Sequence, residues 1–396
     1  MAKVLSHLEE FPIAIDHISL PCSRTPIESS PVPHGCFAPF TNLESLTVDG
    51  SISETTLCKL LDQLPALTSL NVIDCPNLTP KYLYSLPTTL CQLHLRVRDG
   101  FYKLEHVEHL QSLPITFLRL FNALPKNGFE DFGEFLCRTL PRLVQLEELQ
   151  IASFGTRSDQ ADTQLMFSNL TNLRKLTTTH RLAVTWNLFT HLEELALRVK
   201  STIHTSAKGL TFPNLRSLEL HGEASDGELP DAPNLHTLIL GLTRYTNLSR
   251  LNDYKHLSTL RLTGKEDFEP DHELGLEGLE LTFLWLEFPT IPQRVLESMP
   301  SSLKMLSLTN VVHSGVQLEP IIARLTALDT LQLWHTDPTL GCASDTINAL
   351  VAALSPQLTK LVCLDIFSDS IQCLLDGPTL PLRELYVSDA TVEQGK

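Results

Sequence analysis

The sequence predicts an α/β repeat array rather than a set of globular domains, and three observations predict it. A six-residue frame, apolar-x-x-apolar-x-apolar, recurs from one end of the 396-residue chain to the other. The hydrophobic content, 42%, is aliphatic in character, since aromatic residues make up only 7%. No linker-like stretch divides the frames into blocks, although the chain exceeds the length of an ordinary single-core domain.

The frame begins at Ile15, Leu43, Leu67, Leu90, Ile115, Leu146, Leu173, Leu192, Leu215, Leu235, Leu257, Leu281, Leu303, Leu328, Leu358 and Leu382. Across its three slots in all sixteen copies only Thr178 is polar, far beyond what the background composition would supply. A second signal is the tripeptide entering the frame: Thr41-Asn42-Leu43, Thr171-Asn172-Leu173, Pro213-Asn214-Leu215 and Pro233-Asn234-Leu235. Turn-forming residues recur where the chain must swing into each strand.

This pattern resembles the leucine-rich repeat family. The resemblance implies a solenoid or horseshoe with about 16 parallel strands on a concave face and mixed short helices and extended returns on the convex face. The unit Leu67, Leu70, Val72, Cys75, Leu78, Thr79 is similar to the cysteine-containing subclass found in ubiquitin-ligase substrate receptors. The chain departs from the family three residues after the third slot, where Asn or Cys is usual. Here that position holds Ser51, Cys75, Arg98, Ala123, Phe154, Arg181 and Lys200. The inner turns must therefore close by backbone bonds or water, and irregular loops with one or two misplaced strands are expected, above all near Thr178.

Energetics explain why repeats must stack. Three buried aliphatic side chains contribute about 4.5–9 kcal/mol per unit, whereas ordering roughly 24 residues costs on the order of 1–2 kcal/mol each. One unit cannot fold alone. Frame starts are 28, 24, 23, 25, 31 and 27 residues apart, then 19, 23, 20, 22, 24 and 22, then 25, 30 and 24. The longer units have room for convex helices, expected at Thr55–Gln63, Lys103–Gln111, Phe132–Leu140, Leu318–Leu325, Ser344–Leu354 and Ser368–Leu375. Helices are wider than the strand spacing, so the expectation is tight curvature at both ends, a flatter middle and an inner arc of roughly 70 Å. The expected organisation is an N-terminal cap over 1–14, one continuous solenoid over 15–390 with a Pro-rich loop at 21–40, and a tail over 391–396.

Several function classes are disfavoured. A formal net charge of −16 argues against nucleic acid and against an acidic partner, because phosphate contacts need a Lys and Arg excess. Nine scattered cysteines, among them Cys58, Cys75 and Cys363, read as free thiols of a reducing compartment. With no signal or transit peptide evident and no stretch long enough to span a bilayer, an intracellular, cytoplasmic location is expected. The sequons at Asn77, Asn169 and Asn247 read as chance tripeptides. No phosphate loop, nucleophile elbow or zinc signature is present, so neither enzymatic activity nor a cofactor is expected. His106 and His109, beside Glu105 and Glu108, read as an exposed helix face rather than a metal site. The eight acidic residues from Glu266 to Glu287, with no Lys or Arg among them, read as a solvated loop more readily than as a docking site for a basic partner.

Residues between the apolar slots alternate away from the core, and most are small or polar. The exceptions are Phe117, Arg119 and Phe121 on the fifth strand and Phe283, Trp285 and Glu287 on the twelfth, with Trp334 and Tyr386 further along. Aromatics accompanied by charges are typical of interface centres, so these eight are the candidate protein-binding residues. The last strand presents an edge that a partner would cover. The function expected is a non-enzymatic scaffold or assembly subunit of a multi-subunit complex. The alternatives are a ubiquitin-ligase substrate receptor lacking its own F-box and an enzyme inhibitor or regulator.

Overall fold

A computed structural model describes residues 17–21, 41–50, 52–75, 78–98, 108–123, 140–153, 169–179, 190–198, 211–222, 229–242, 248–264, 274–309, 317–334, 357–364 and 382–388. The chain forms two compact units, Met1–Leu192 and Glu193–Lys396. Unit 1 carries β1 (His17–Pro21), β2 (Ser45–Asp49), β3 (Ser69–Ile73), β4 (Gln92–Arg98), β5 (Phe117–Ala123), β6 (Glu148–Ser153) and β7 (Lys175–Thr178). Unit 2 carries β8 (Glu194–Arg198), β9 (Ser217–Gly222), β10 (Thr237–Leu242), β11 (Thr259–Thr263), β12 (Phe283–Glu287), β13 (Met305–Thr309), β14 (Thr330–Trp334), β15 (Lys360–Leu364) and β16 (Glu384–Ser388). Within each unit the strands pair in parallel with their sequence neighbours. This is the leucine-rich repeat architecture.

Every strand begins two residues after the first slot of its frame. The first slot therefore lies just before the strand, and the other two occupy strand positions two and four. Those side chains form the core: Leu43, Leu46 and Val48 around β2, and Leu281, Leu284 and Leu286 around β12, are all essentially inaccessible. Leucine is a modest strand former, so burial rather than propensity fixes these segments as strands. Registers run position to position, as in Leu46↔Leu70 and Leu284↔Leu306. The leucines thus stack into continuous rows while positions one, three and five align into three columns on the opposite, open face. The expected break near Thr178 does not occur: β7 is a short strand, and Thr178 sits fully buried in the third slot. Threonine is β-branched and close to valine in shape, so the slot accepts it.

The backbone closes the turns. Glu44 O accepts from both Thr68 N and Ser69 N, each at 2.9 Å, and the same two-to-one arrangement recurs at Thr68, Cys91, Thr116, Glu147, Glu193, Arg216, His236, Ser258, Thr282, Lys304, Asp329 and Thr359. At strand exits, Gly50 N donates to Ile73 O at 3.1 Å, Asp74 N to Arg96 O at 2.9 Å and Gly264 N to Glu287 O at 2.8 Å. These bonds replace the Asn ladder that the sequence lacks. Cys75 alone retains the inward slot: it is buried, and its thiol donates to Ile73 O at 3.2 Å. The asparagines of the entry tripeptide have a further role, since Asn172 Nδ2 donates to Val144 O at 3.0 Å and Asn234 Nδ2 to Pro213 O at 2.6 Å. Each ties its repeat to the preceding one.

Return segments supply the second wall of the core, including the buried aromatics Tyr82, Phe212, Tyr254 and Phe288. The expected helix near Thr55–Gln63 is α1 (Glu54–Leu61), capped by Ser53, whose hydroxyl accepts from Thr56 N. The one near Leu318–Leu325 is α3 (Glu319–Arg324). A short α2 (Gln293–Glu297) was not expected. The expectation at Lys103–Gln111 is corrected to a 3-10 turn at Glu108–Ser112, with 103–107 outside the described residues. Further 3-10 segments occupy Pro80–Ser85, Leu140–Arg142, Ser249–Asp253 and Leu276–Gly278. A 3-10 turn rises about 2.0 Å per residue against about 1.5 Å for an α-helix, so it covers a short return with fewer residues. The cap over 1–14, the loop over 22–40, the tail, most of Phe132–Leu140, and the helices expected at Ser344–Leu354 and Ser368–Leu375 lie outside the described residues. Among the described residues no helix is long and apolar enough to cross a membrane.

Candidate functional site

The open-face columns carry the candidate residues, and register determines which of them meet. On unit 2, Trp285 is at position three of β12 and Trp334 at position five of β14, with β13 between them. Their rings nevertheless stack, with centroids 6.0 Å apart and planes 26° from parallel. The strand between allows this by being small: Ser307 and Thr309, at open-face positions of β13, are buried at 0% and 4% exposure. Arg261 of β11 completes the stack, its guanidinium 4.1 Å from the centroid of a Trp285 ring. Glu287 Oε2 lies 3.5 Å from Arg261 Nη2 and holds it from the side. The result is a half-buried strip, Arg261–Trp285–Trp334, running across β11 to β14, with Phe283 half-buried at position one of β12. The side-chain nitrogens Arg261 Nε, Trp285 Nε1 and Trp334 Nε1 and the hydroxyl of Ser307 are buried there without a hydrogen-bond partner.

Tyr386 lies apart from that stack. It is 52% exposed on β16, with the Lys360 ammonium 5.1 Å from its ring centroid and paired to Glu384 at 2.6 Å.

On unit 1, Phe117, Arg119 and Phe121 occupy positions one, three and five of β5 and are half-buried. The Arg119 guanidinium lies 4.4 Å from the Phe121 centroid, and His94 of β4 packs against the same ring at 5.5 Å. Burial, reinforced by the charges of Arg119 and Arg96, lowers the His94 imidazole to about 4, so it is neutral near pH 7. Arg96, also on β4, reaches Asp74 at 3.5 Å.

The sequence reading passed over three groups because it sought aromatics along single strands. Arg261 and the His94–Arg96 pair become visible only when strands are aligned position by position. The third group lies on β8 and β9, where Arg198 grips Glu219 with two bonds, 2.7 and 3.1 Å, and His221 Nε2 bonds Glu219 Oε1 at 2.7 Å. The His221 bond first, then Arg198, holds the Glu219 carboxyl down at about 2 against the opposing effect of burial. His221 rests over Gly241 of β10, where a side chain would collide with its ring. Among the weaker candidates, His109 sits on the 3-10 turn with its ring tilted against Tyr84, 5.8 Å away, and His106 is outside the described residues, as are residues 266–273 of the acidic run. Cys58 and Cys91 are free thiols, and the Cys75 thiol is hydrogen-bonded to Ile73 O.

No known family profile matches the chain, and no curated protein matches its sequence. Among solved structures it is similar to a leucine-rich repeat protein of Leptospira interrogans, at 17% identity over 96% of this chain and 98% of that one, with a TM-score of 0.44. It is also similar to an internalin of Listeria monocytogenes, at 19% identity over 90% and 88% of the two chains, with a TM-score of 0.42. The fold assignment rests on this chain's own frames, strands and register.

Proposed function

We propose that this leucine-rich repeat protein is a non-catalytic binding subunit that holds partner proteins against the open faces of its strands, within a larger complex. The observation that carries this reading is the Arg261–Trp285–Trp334 strip. Arginine and tryptophan are the residue types that dominate interface energetics, and here they form a pre-ordered, half-desolvated surface. Nothing in the core requires them there: the leucines of β11, β12 and β14 are fully buried on the other face. A pre-stacked strip loses little side-chain freedom on binding. The exposed ring of Tyr386 on β16 extends the same reading toward that strand edge.

The test is affinity purification with mass spectrometry, comparing the wild-type chain with a Trp285→Ala, Trp334→Ala double variant whose thermal unfolding is checked in parallel. The expected outcome is a partner set recovered by the wild type and lost by a folded variant. Recovery of the same partners by both would refute the reading. A substrate receptor of a ubiquitin ligase is the second reading, favoured by Cys75 in the inward slot of its repeat. Recovery of a cullin or its adaptor would select it.

A further inference from the structure

We infer that β3–β5 of unit 1 form a seat for a single carboxylate of an acidic peptide segment, received between Arg119 and His94. The inference deepens the binding reading above by naming the partner's chemistry, and it rests on that reading only for the claim that the ligand is a protein.

Two observations point to an anion there. Asn71, His94 and Arg119 occupy position three of β3, β4 and β5, directly in register, so adjacent members lie about 4.8 Å apart in backbone spacing. Each has a buried polar atom without a partner: Asn71 Oδ1, His94 Nε2 and Arg119 Nε. Such a run is costly to leave unmade, and a ligand rich in acceptors relieves two of its three members directly. Asn71 joins when its amide turns to present Nδ2.

Charge determines the kind of anion. Arg96 is already matched by Asp74 at 3.5 Å, and Glu148 across on β6 holds Gln150 at 2.8 Å. Among the described residues Arg119 has no carboxylate within ion-pair distance, so the seat carries one uncompensated cation in a chain whose net charge is −16. One carboxylate balances it, whereas a phosphate dianion would leave excess negative charge beside an acidic protein. The chain's overall charge opposes acidic partners at long range. A local seat overcomes this only at contact, so binding is salt-tolerant rather than strongly steered. Phe117 and Phe121 flank Arg119 on the same strand, which favours a peptide with an apolar side chain next to the acidic one.

The test uses three fluorescein-labelled hexapeptides of alternating sequence, Glu-Leu, Gln-Leu and phosphoserine-Leu, titrated by fluorescence anisotropy against the full chain. The expected order is Glu-Leu tightest, with Gln-Leu at least tenfold weaker and phosphoserine-Leu no better than Glu-Leu. In Arg119→Gln the Glu-over-Gln preference falls to within twofold, while Arg96→Gln retains it. In a parallel NMR titration the seated carboxylate stabilises the His94 imidazolium, so the Glu-Leu peptide raises the His94 titration midpoint above about 4. That signal also locates the peptide when a variant unfolds. Equal binding of Glu-Leu and Gln-Leu, an undiminished preference in folded Arg119→Gln, or tighter binding of the phosphoserine peptide each overturns the inference. None of these outcomes touches the tryptophan-dependent capture of partners, so the two proposals fail separately.

Discussion

Replacing Glu219 by Gln should destabilise the protein near neutrality and cease to matter in acid. Glu219 is 16% exposed and receives His221 and both arms of Arg198. Its carboxyl is held at about 2 against an ordinary 4.5. A difference of about 2.5 pH units at about 1.36 kcal/mol each gives a ceiling of roughly 3 kcal/mol. Arg198 is 55% exposed and His221 35%, so solvent screening reduces the expected value to about 1–2 kcal/mol. Because the folded value lies below the unfolded one, this contribution is fully present above about pH 4.5 and is lost as pH falls toward about 2. Urea unfolding of wild type and Glu219→Gln, followed by circular dichroism at pH 6, 4 and 3, measures the gap between them. Other carboxylates titrate in both proteins and cancel in the difference. The gap should be largest at pH 6 and narrow steadily toward pH 3. A gap independent of pH, or none at pH 6, would refute the charge network as a source of stability.

Two further changes probe neighbouring bonds. Gly241→Ala places a Cβ 2.2 Å from His221 Nδ1, so the ring must swing off Glu219; the substitution should destabilise the wild type yet be neutral or stabilising by up to about 1 kcal/mol in the Glu219→Gln background, where only the gain from removing a strand glycine remains. A double-mutant cycle in urea reads this, and equal costs in both backgrounds would contradict the displacement. Asn234→Ala removes the 2.6 Å bond to Pro213 O and should cost about 0.5–1.5 kcal/mol, visible as a lower urea midpoint; an unchanged midpoint would show that water replaces this cross-repeat tie.

How far the sequence could be read follows from which residues the fold constrains. The leucine slots are forced, because a strand that slipped by one residue would turn Leu284 and Leu286 out and Phe283 and Trp285 in. That is why every strand could be located from its frame, each starting two residues after the first slot, and why Thr178 marks a strand despite the break expected there. Helices were legible where they carry their own signals, as at Ser53 before α1 and Pro320 within the first turn of α3. The 3-10 returns were not, since a turn of three to six residues has no 3.6-residue period to detect. Turn closure was legible only as a deficit: the missing Asn ladder is made good by main-chain bonds such as Asp74 N to Arg96 O, which no side chain announces.

The open-face surface proposed for binding follows a different rule. Open-face positions leave the core untouched, so each strand's choice there is free of its own leucines but not of its neighbours. Ser307 and Thr309 show the dependence: on β13 alone they are unremarkable small residues, yet Trp285 from one side and Trp334 from the other can meet only because both are small. Arg261, 24 residues before Trp285, is tied to the strip by the same register. Partners in such a surface are therefore one or two repeat lengths apart in sequence, and aligning the strands by register rather than sorting by sequence proximity is what brings them together. Sorted in this way, position three of β3, β4 and β5 reads Asn71, His94, Arg119, and position three of β11, β12 and β13 reads Arg261, Trp285, Ser307. Both runs contain buried polar atoms without partners, a cost the fold itself does not require and one that a bound chain can remove.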